Sequence, residues 1–165
     1  MILLKFATAI NGESTVAGHD KWITIESVQM GVGRGITSVG GGGDRETSNP
    51  SFSEVTMAKT MDVASTELFM QATCGKSLGK AEIHFIQTGG TAAKGQTYLK
   101  IELDEAIVSS YSMSSGGDRP TENFSLNFTK ISYQYDKYDG ATVVTGTAKK
   151  WNLEKRWEYR PENPC

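Results

Sequence analysis

The chain has 165 residues, 38% apolar and 22% charged, a size and balance that suit a single domain over 1–165 with a substantial core. Its 17 basic and 19 acidic residues leave a formal charge of −2 and no cluster of Lys and Arg to meet a phosphate backbone, which argues against nucleic acid as a partner. No apolar run nears the roughly 18 residues of a membrane span, and Met1 to Phe6 is too short for the core of a cleavable signal, so a soluble chain without a cleaved leader is expected.

Period-two alternation dominates the chain, placing apolar residues on one strand face and polar residues on the other. Trp22 to Val32 and Phe52 to Lys59 carry the β-branched and aromatic residues of strands with a less regular alternation. Between them, Gly31 to Asn49 with its Gly40-Gly41-Gly42-Gly43 core reads as a long unstructured loop, longer than compact domains keep without a use. One short helix follows, with Ser65 or Asp62 as cap, Glu67 in its first turn, Leu68, Phe69 and Ala72 as apolar face and Gly75 as stop. Ala81, Ile83 and Phe85 alternate with Lys80, Glu82 and His84, and Leu99, Ile101 and Leu103 with Tyr98, Lys100 and Glu102, giving two half-buried strands.

From Asn123 to Tyr135 the phase slips. Phe124, Leu126 and Phe128 share one face, whereas Ile131, Tyr133 and Tyr135 take the opposite one, with the slip near Thr129-Lys130. Such a slip bends a strand so that its halves face different layers, as at a barrel corner. Two further connections are glycine-rich, at Gly89-Gly90 to Gly95 and at Ser114-Ser115-Gly116-Gly117-Asp118-Arg119. The expected fold is mainly β: a small barrel of two packed antiparallel sheets with one short helix and long glycine-rich loops.

Chemistry-bearing motifs fail one by one. Gly75-Lys76-Ser77 lacks the earlier glycine of a phosphate loop, since Met70 stands there, and it ends a helix instead of starting one. Gly31, Gly33 and Gly35 do not open a βαβ unit. His19 and His84 have no recognisable nucleophile beside them, so His19 reads as a hydrogen-bonded turn residue and His84 as a sheet-surface residue. Cys74 and Cys165 show neither metal spacing nor a disulfide framework, Cys74 reading as a small buried hydrophobe and Cys165 as a tail residue. Asn123-Phe124-Ser125 and Asn127-Phe128-Thr129 fit a glycosylation pattern but read as the polar face of a strand. Trp151, Trp157 and Tyr159 suggest either a pin for the last strand or the sugar-stacking platform of a monomeric glycan-binding or ligand-binding β-domain. No cofactor, metal site or catalytic set is expected.

Gly12-Glu13-Ser14-Thr15, Gly18-His19, Trp22-Ile23, Val55-Thr56-Met57-Ala58-Lys59 with Met61-Asp62, Ile107 to Tyr111 and Thr121-Glu122-Asn123-Phe124-Ser125-Leu126-Asn127-Phe128 run in order along the chain, as does Trp151-Asn152-Leu153. Together they resemble the haemolysin-coregulated protein family, whose members are tube proteins of type VI secretion systems. The resemblance implies a structural subunit and not an enzyme. It implies homohexameric rings that stack into a tube, a contractile sheath around the tube, a spike protein at its tip, and small effector proteins carried and stabilised in the lumen. Assembly in the bacterial cytoplasm and secretion without a cleavable signal peptide go with it. By the same resemblance, Gly40, Gly41, Gly42, Gly43, Asp44 and Arg45 and then Ser114, Ser115, Gly116, Gly117, Asp118 and Arg119 fall in ring-stacking loops. Gln29 falls at a lumen-facing effector contact, with Ser27 beside it by alternation. The segment 156–165 departs from the family pattern and reads as an irregular tail.

Overall fold

The computed structural model describes residues 1–37, 46–88, 95–139 and 142–154. In chain order the strands are β1 (Ile2–Phe6), β2 (Ile23–Ile25), β3 (Ser27–Gln29), β4 (Val32–Gly33), β5 (Ile36–Thr37), β6 (Glu46–Thr47), β7 (Ser51–Phe52) and β8 (Val55–Thr60). The helix α1 (Ser65–Cys74) comes next, followed by β9 (Ala81–Gln87), β10 (Gln96–Asp104), β11 (Ile107–Ser114), β12 (Thr121–Asn127) and β13 (Lys130–Tyr135). The last strands are β14 (Lys137–Asp139), β15 (Thr142–Val144) and β16 (Lys149–Asn152).

Two antiparallel sheets dominate, a six-stranded one ordered β16-β13-β10-β9-β1-β2 and a four-stranded one ordered β11-β12-β8-β3. Their facing sides bury one apolar cluster, with Leu4, Phe6, Ile83, Ile101, Leu103 and Ile131 from the larger sheet and Val55, Met57, Phe124 and Leu126 from the smaller. This is the expected mainly-β fold of two packed sheets and one helix.

The phase slip at Thr129-Lys130 is a change of sheet. β12 pairs with β8 and β11, β13 pairs with β10 and β16, and Thr129 turns the corner by donating its N–H to the Asp104 carbonyl at 3.0 Å. A second corner falls at Glu26, between β2 in the six-stranded sheet and β3 in the four-stranded one. The sequence reads Trp22 to Val32 as one irregular strand; the corner explains the irregularity, because the apolar side must swap where the chain changes layer. Likewise Phe52 to Lys59 breaks after Phe52, which pairs with Val32, before β8 begins.

The long glycine-rich loop is partly structured at its base. Val32 and Gly33 pair with Phe52 and Ser51, and Ile36 and Thr37 with Thr47 and Glu46, so two short ladders carry the chain outward. Ser53 and Ser48 hydroxyls accept the N–H groups of Gly31 and Gly35 at 2.8 and 2.7 Å, supplying partners that a simple loop would lack.

Helix α1 starts one step differently from either sequence alternative. Ala64 is its N-cap residue, without a side-chain cap bond. Asp62 instead accepts the Ala64 N–H at 2.9 Å, and Ser65, the first helical residue, accepts the Asp62 N–H at 2.9 Å. Leu68 is buried and Ala72 packs on the core, whereas Phe69 lies half exposed, its ring edge-on to Tyr111. Cys74 is exposed, contrary to the buried reading. Six residues beyond Leu68 it is rotated about 240° around the helix, away from the core.

Candidate functional site

The outward face of the four-stranded sheet is built from three cross-strand rows. Gln29, Thr56, Ser125 and Ser110 form one; Ser27, Ala58, Asn123 and Ser112 form the next; Thr60, Thr121 and Ser114 form the third. Alternation sends Val28, Val55, Met57, Phe124 and Leu126 inward, leaving hydroxyls, amides and one alanine outward. No charged side chain stands within these rows. The hydroxyls bond to each other across strands, Thr56 Oγ1 to Ser125 Oγ at 3.2 Å and Ser110 Oγ to Ser125 Oγ at 3.0 Å, so the surface is largely self-satisfied. Carboxylates occur only at its margins. Glu54 accepts from the Ser109 hydroxyl at 2.8 Å, and Glu26 accepts from the Thr60 hydroxyl.

Gln29 and Ser27, expected as neighbours on one strand face, are both exposed on β3 with half-buried Val28 between them. The register brings them to the same face as Asn123 and Asn127, whose side chains are exposed as the polar-strand reading requires. Sequence reasoning does not join Thr56, Ser110 or Ser112 to this face, and it reads Ser114 as a loop residue and Asn123 and Ser125 only as the polar side of their own strand. Their signal was present, in a Thr/Ser/Asn phase on each of three strands, but only the register joins the rows.

Ser114 to Arg119 form an exposed turn joining β11 to β12, with Ser115 Oγ donating to the Asp118 carbonyl at 2.8 Å and Gly117 at φ 117°, a conformation that favours glycine. The Gly40 to Arg45 segment lies outside the described residues. Its flanks, however, start beside Gln29, while the Ser114–Arg119 turn lies beyond the Thr60 row. The two loop bases therefore emerge at opposite ends of this sheet.

Behind the face lies a buried ionic network. Lys59 and Glu122, both at 0% exposure, sit in the inward phase of β8 and β12. Lys59 Nζ donates to Glu122 Oε1 at 2.5 Å, to Asp62 Oδ1 at 2.7 Å and to Ser65 Oγ at 3.3 Å. Glu122 also accepts from Ser65 Oγ at 2.9 Å and, through Oε2, from the Tyr111 hydroxyl at 2.7 Å. Burial first, then the bond to Glu122, pushes the Tyr111 phenol up to about 12. The network ties α1 to the inner side of the sheet.

On the opposite layer the Gly12–Trp22 turn packs over the outer side of the six-stranded sheet, where Trp22 joins Leu3 and Ile86 in a second buried cluster. His84 is half-buried there, its Nδ1 hydrogen-bonded to Nε2 of His19 at 2.8 Å, instead of standing free on the surface. His19 has the structural turn role read for it. Trp151 lies opposite Ile131 across β13 and β16 and tilts against Phe52, which makes it a pin for that strand; Trp157, Tyr159 and Cys165 lie outside the described residues. Among the described residues there is no cluster of three or more potential metal ligands, and no helix is long and apolar enough to cross a membrane.

These features agree with what the chain is similar to. A protein-family model described as "Type VI secretion system effector, Hcp" matches residues 3–135. Protein hcp1 of Pseudomonas aeruginosa is 34% identical over 106 residues, a match spanning 62% of this chain and 64% of that relative's length. A solved type six secretion system protein superimposes with a TM-score of 0.84 at 25% identity, covering 94% of this chain and 96% of the other. Hcp1 from Salmonella typhimurium shares the fold at a TM-score of 0.73 and 23% identity, over 94% and 95% of the two chains. With well over half of its residues matched by that model and its fold shared along nearly its whole length, the chain belongs to the Hcp family of type VI secretion proteins.

Proposed function

We propose that this chain is a structural subunit of a type VI secretion tube, assembling head to tail into hexameric rings with the charge-free face of the four-stranded sheet turned to the lumen. The observation that carries this reading is the pairing of that face with its two terminal strands. β3 and β11 end the sheet, and neither carries the lysine or proline with which isolated proteins guard an edge. Of the larger sheet's two outer strands, β16 begins with Lys149 and Lys150, whereas β2 is likewise free of lysine and proline. An edge of one copy meeting the opposite edge of the next is a heterologous contact, which closes into a ring when the rotation permits.

In this reading the Gly31–Asn49 loop with Gly40 to Arg45, and the Ser114–Arg119 turn, reach from the two ends of the sheet toward the rings above and below. Gln29 and Ser27 then face the lumen, where a wall of hydroxyls and amides suits contact with small effector proteins of differing charge. The spike at the tip, the contractile sheath outside, assembly in the cytoplasm and secretion of the rings complete the proposal. The monomeric glycan-binding alternative loses its support from Trp151, which is engaged in strand packing.

Negative-stain images of the purified protein test the reading together with a mass measurement. Annular particles of six subunits are expected. A strictly monomeric species at high micromolar concentration, with no annuli, would refute it.

A further inference from the structure

The only two histidines of the chain meet, although 65 residues separate them. His84 projects from the outer side of β9, opposite Leu3 on β1 and Lys100 on β10. His19 comes from the Gly12–Trp22 turn, which is closed on itself by Gly12 N–H to Lys21 O at 2.8 Å, Ser14 N–H to Trp22 O at 3.1 Å and Lys21 N–H to Ser14 O at 2.8 Å. Trp22 packs against both imidazoles, with ring centroids 4.6 Å from His19 and 4.7 Å from His84. The histidine pair is thus the polar link between the turn and the sheet, set into an aromatic contact.

We propose that the His19–His84 pair is an acid-sensitive latch, which holds the Gly12–Trp22 turn on the six-stranded sheet while a single hydrogen lies between the two facing nitrogens and releases it when both nitrogens are protonated. A bond of 2.8 Å between imidazole nitrogens needs one donor and one acceptor. Two N–H groups, on two cationic rings, cannot share that gap.

The surroundings reinforce the cost of charge. Lys100 on β10 lies beside His84, and Lys5 on β1 stands over the Trp22 ring at 5.8 Å. Glu102 on β10 and Glu82 on β9 oppose them, Asp136 engages Lys100 at 3.8 Å, and Asp20 and Lys21 follow His19 in the turn. Desolvation chiefly, then His19 and Lys100, lowers His84 from 6.5 to about 4 against the pull of Glu102. Desolvation also lowers His19. Because the folded values lie below the ordinary one, the latch contributes fully above about pH 6.5 and is lost as pH falls toward about 4.

Amide hydrogen exchange on the full chain, corrected for intrinsic rates, tests this at about pH 7 and about pH 4. Protection of the Gly12–Trp22 amides should fall by roughly tenfold or more in acid while β9 and β10 keep theirs. In His84→Gln only His19 still titrates, and the facing amide can accept as well as donate, so that acid-dependent step should largely disappear. Equal protection of the turn at both pH values in the parent chain would overturn the proposal, as would loss of protection in all strands together or an unchanged step in the variant. Should His84→Gln not fold, the imidazole resonances of the parent decide: titration below the ordinary histidine range supports the latch, and two independent titrations near 6.5 refute it.

Discussion

Replacing Lys59 by Met should be a costly single change in the four-stranded sheet. The ammonium is fully buried and donates to Glu122, Asp62 and Ser65 at 2.5, 2.7 and 3.3 Å. Methionine fills a similar volume but leaves the Glu122 carboxylate at 0% exposure without its cation. Removing one partner of a buried pair costs about 3–5 kcal/mol. Two donors remain on Glu122, the Ser65 and Tyr111 hydroxyls, which places the expected loss near the lower end, about 3 kcal/mol. With a urea slope of about 2 kcal/mol/M the unfolding midpoint should drop by roughly 1.5 M. The double replacement Lys59→Met with Glu122→Leu removes both charges and should recover at least half of that loss, since an apolar pair of like volume often serves as well. Urea titrations of the parent, both single variants and the double variant close the cycle. A loss below about 1 kcal/mol for Lys59→Met, or a double variant that loses the sum of the singles, would refute the reasoning.

Gly12→Ala should destabilise by about 2 kcal/mol in the same assay, because a Cβ there would lie 2.4 Å from the Trp22 carbonyl oxygen and 2.5 Å from Ile23 Cα, both backbone atoms. An alkaline titration followed by phenolate absorbance should show one tyrosine ionising at about 12, missing from Tyr111→Phe. Its folded value is raised, so the associated stability is complete below about pH 10 and is lost as pH rises through about 12. Gln29→Trp should leave folding stability within about 0.5 kcal/mol, since Gln29 is exposed on β3, while changing effector retention at constant particle size in co-purification and electron microscopy.

Much of the layer structure was legible because alternation is a local property. Ala81 to Phe85 and Leu99 to Leu103 form β9 and β10 as their phase predicts, and the slip at Thr129-Lys130 marks the passage between sheets. The helix was placed correctly, but its cap was not, since Asp62 and Ser65 are recruited by Lys59 and Glu122 from two strands. Even that network had a trace in the sequence. Lys59 continues the inward phase of Val55 and Met57, and Glu122 that of Phe124 and Leu126, so opposite charges fall where apolar residues belong. The His19–His84 contact had no such trace, because nothing local to either residue encodes the fold-back of the turn over β9. Of the candidate site, Ser27 and Gln29 were found on one strand, whereas its extension through Thr56, Ser125 and Ser110 depends on register across three more.

The corners at Glu26 and Thr129 mean that the same stretch of covalent chain serves both layers of the molecule at two places. Neither layer can shear past the other without stretching peptide backbone, so a push applied to one edge is borne by the whole body. In the tube proposed above, end-on load would deform the contacts between copies before it deformed any one of them.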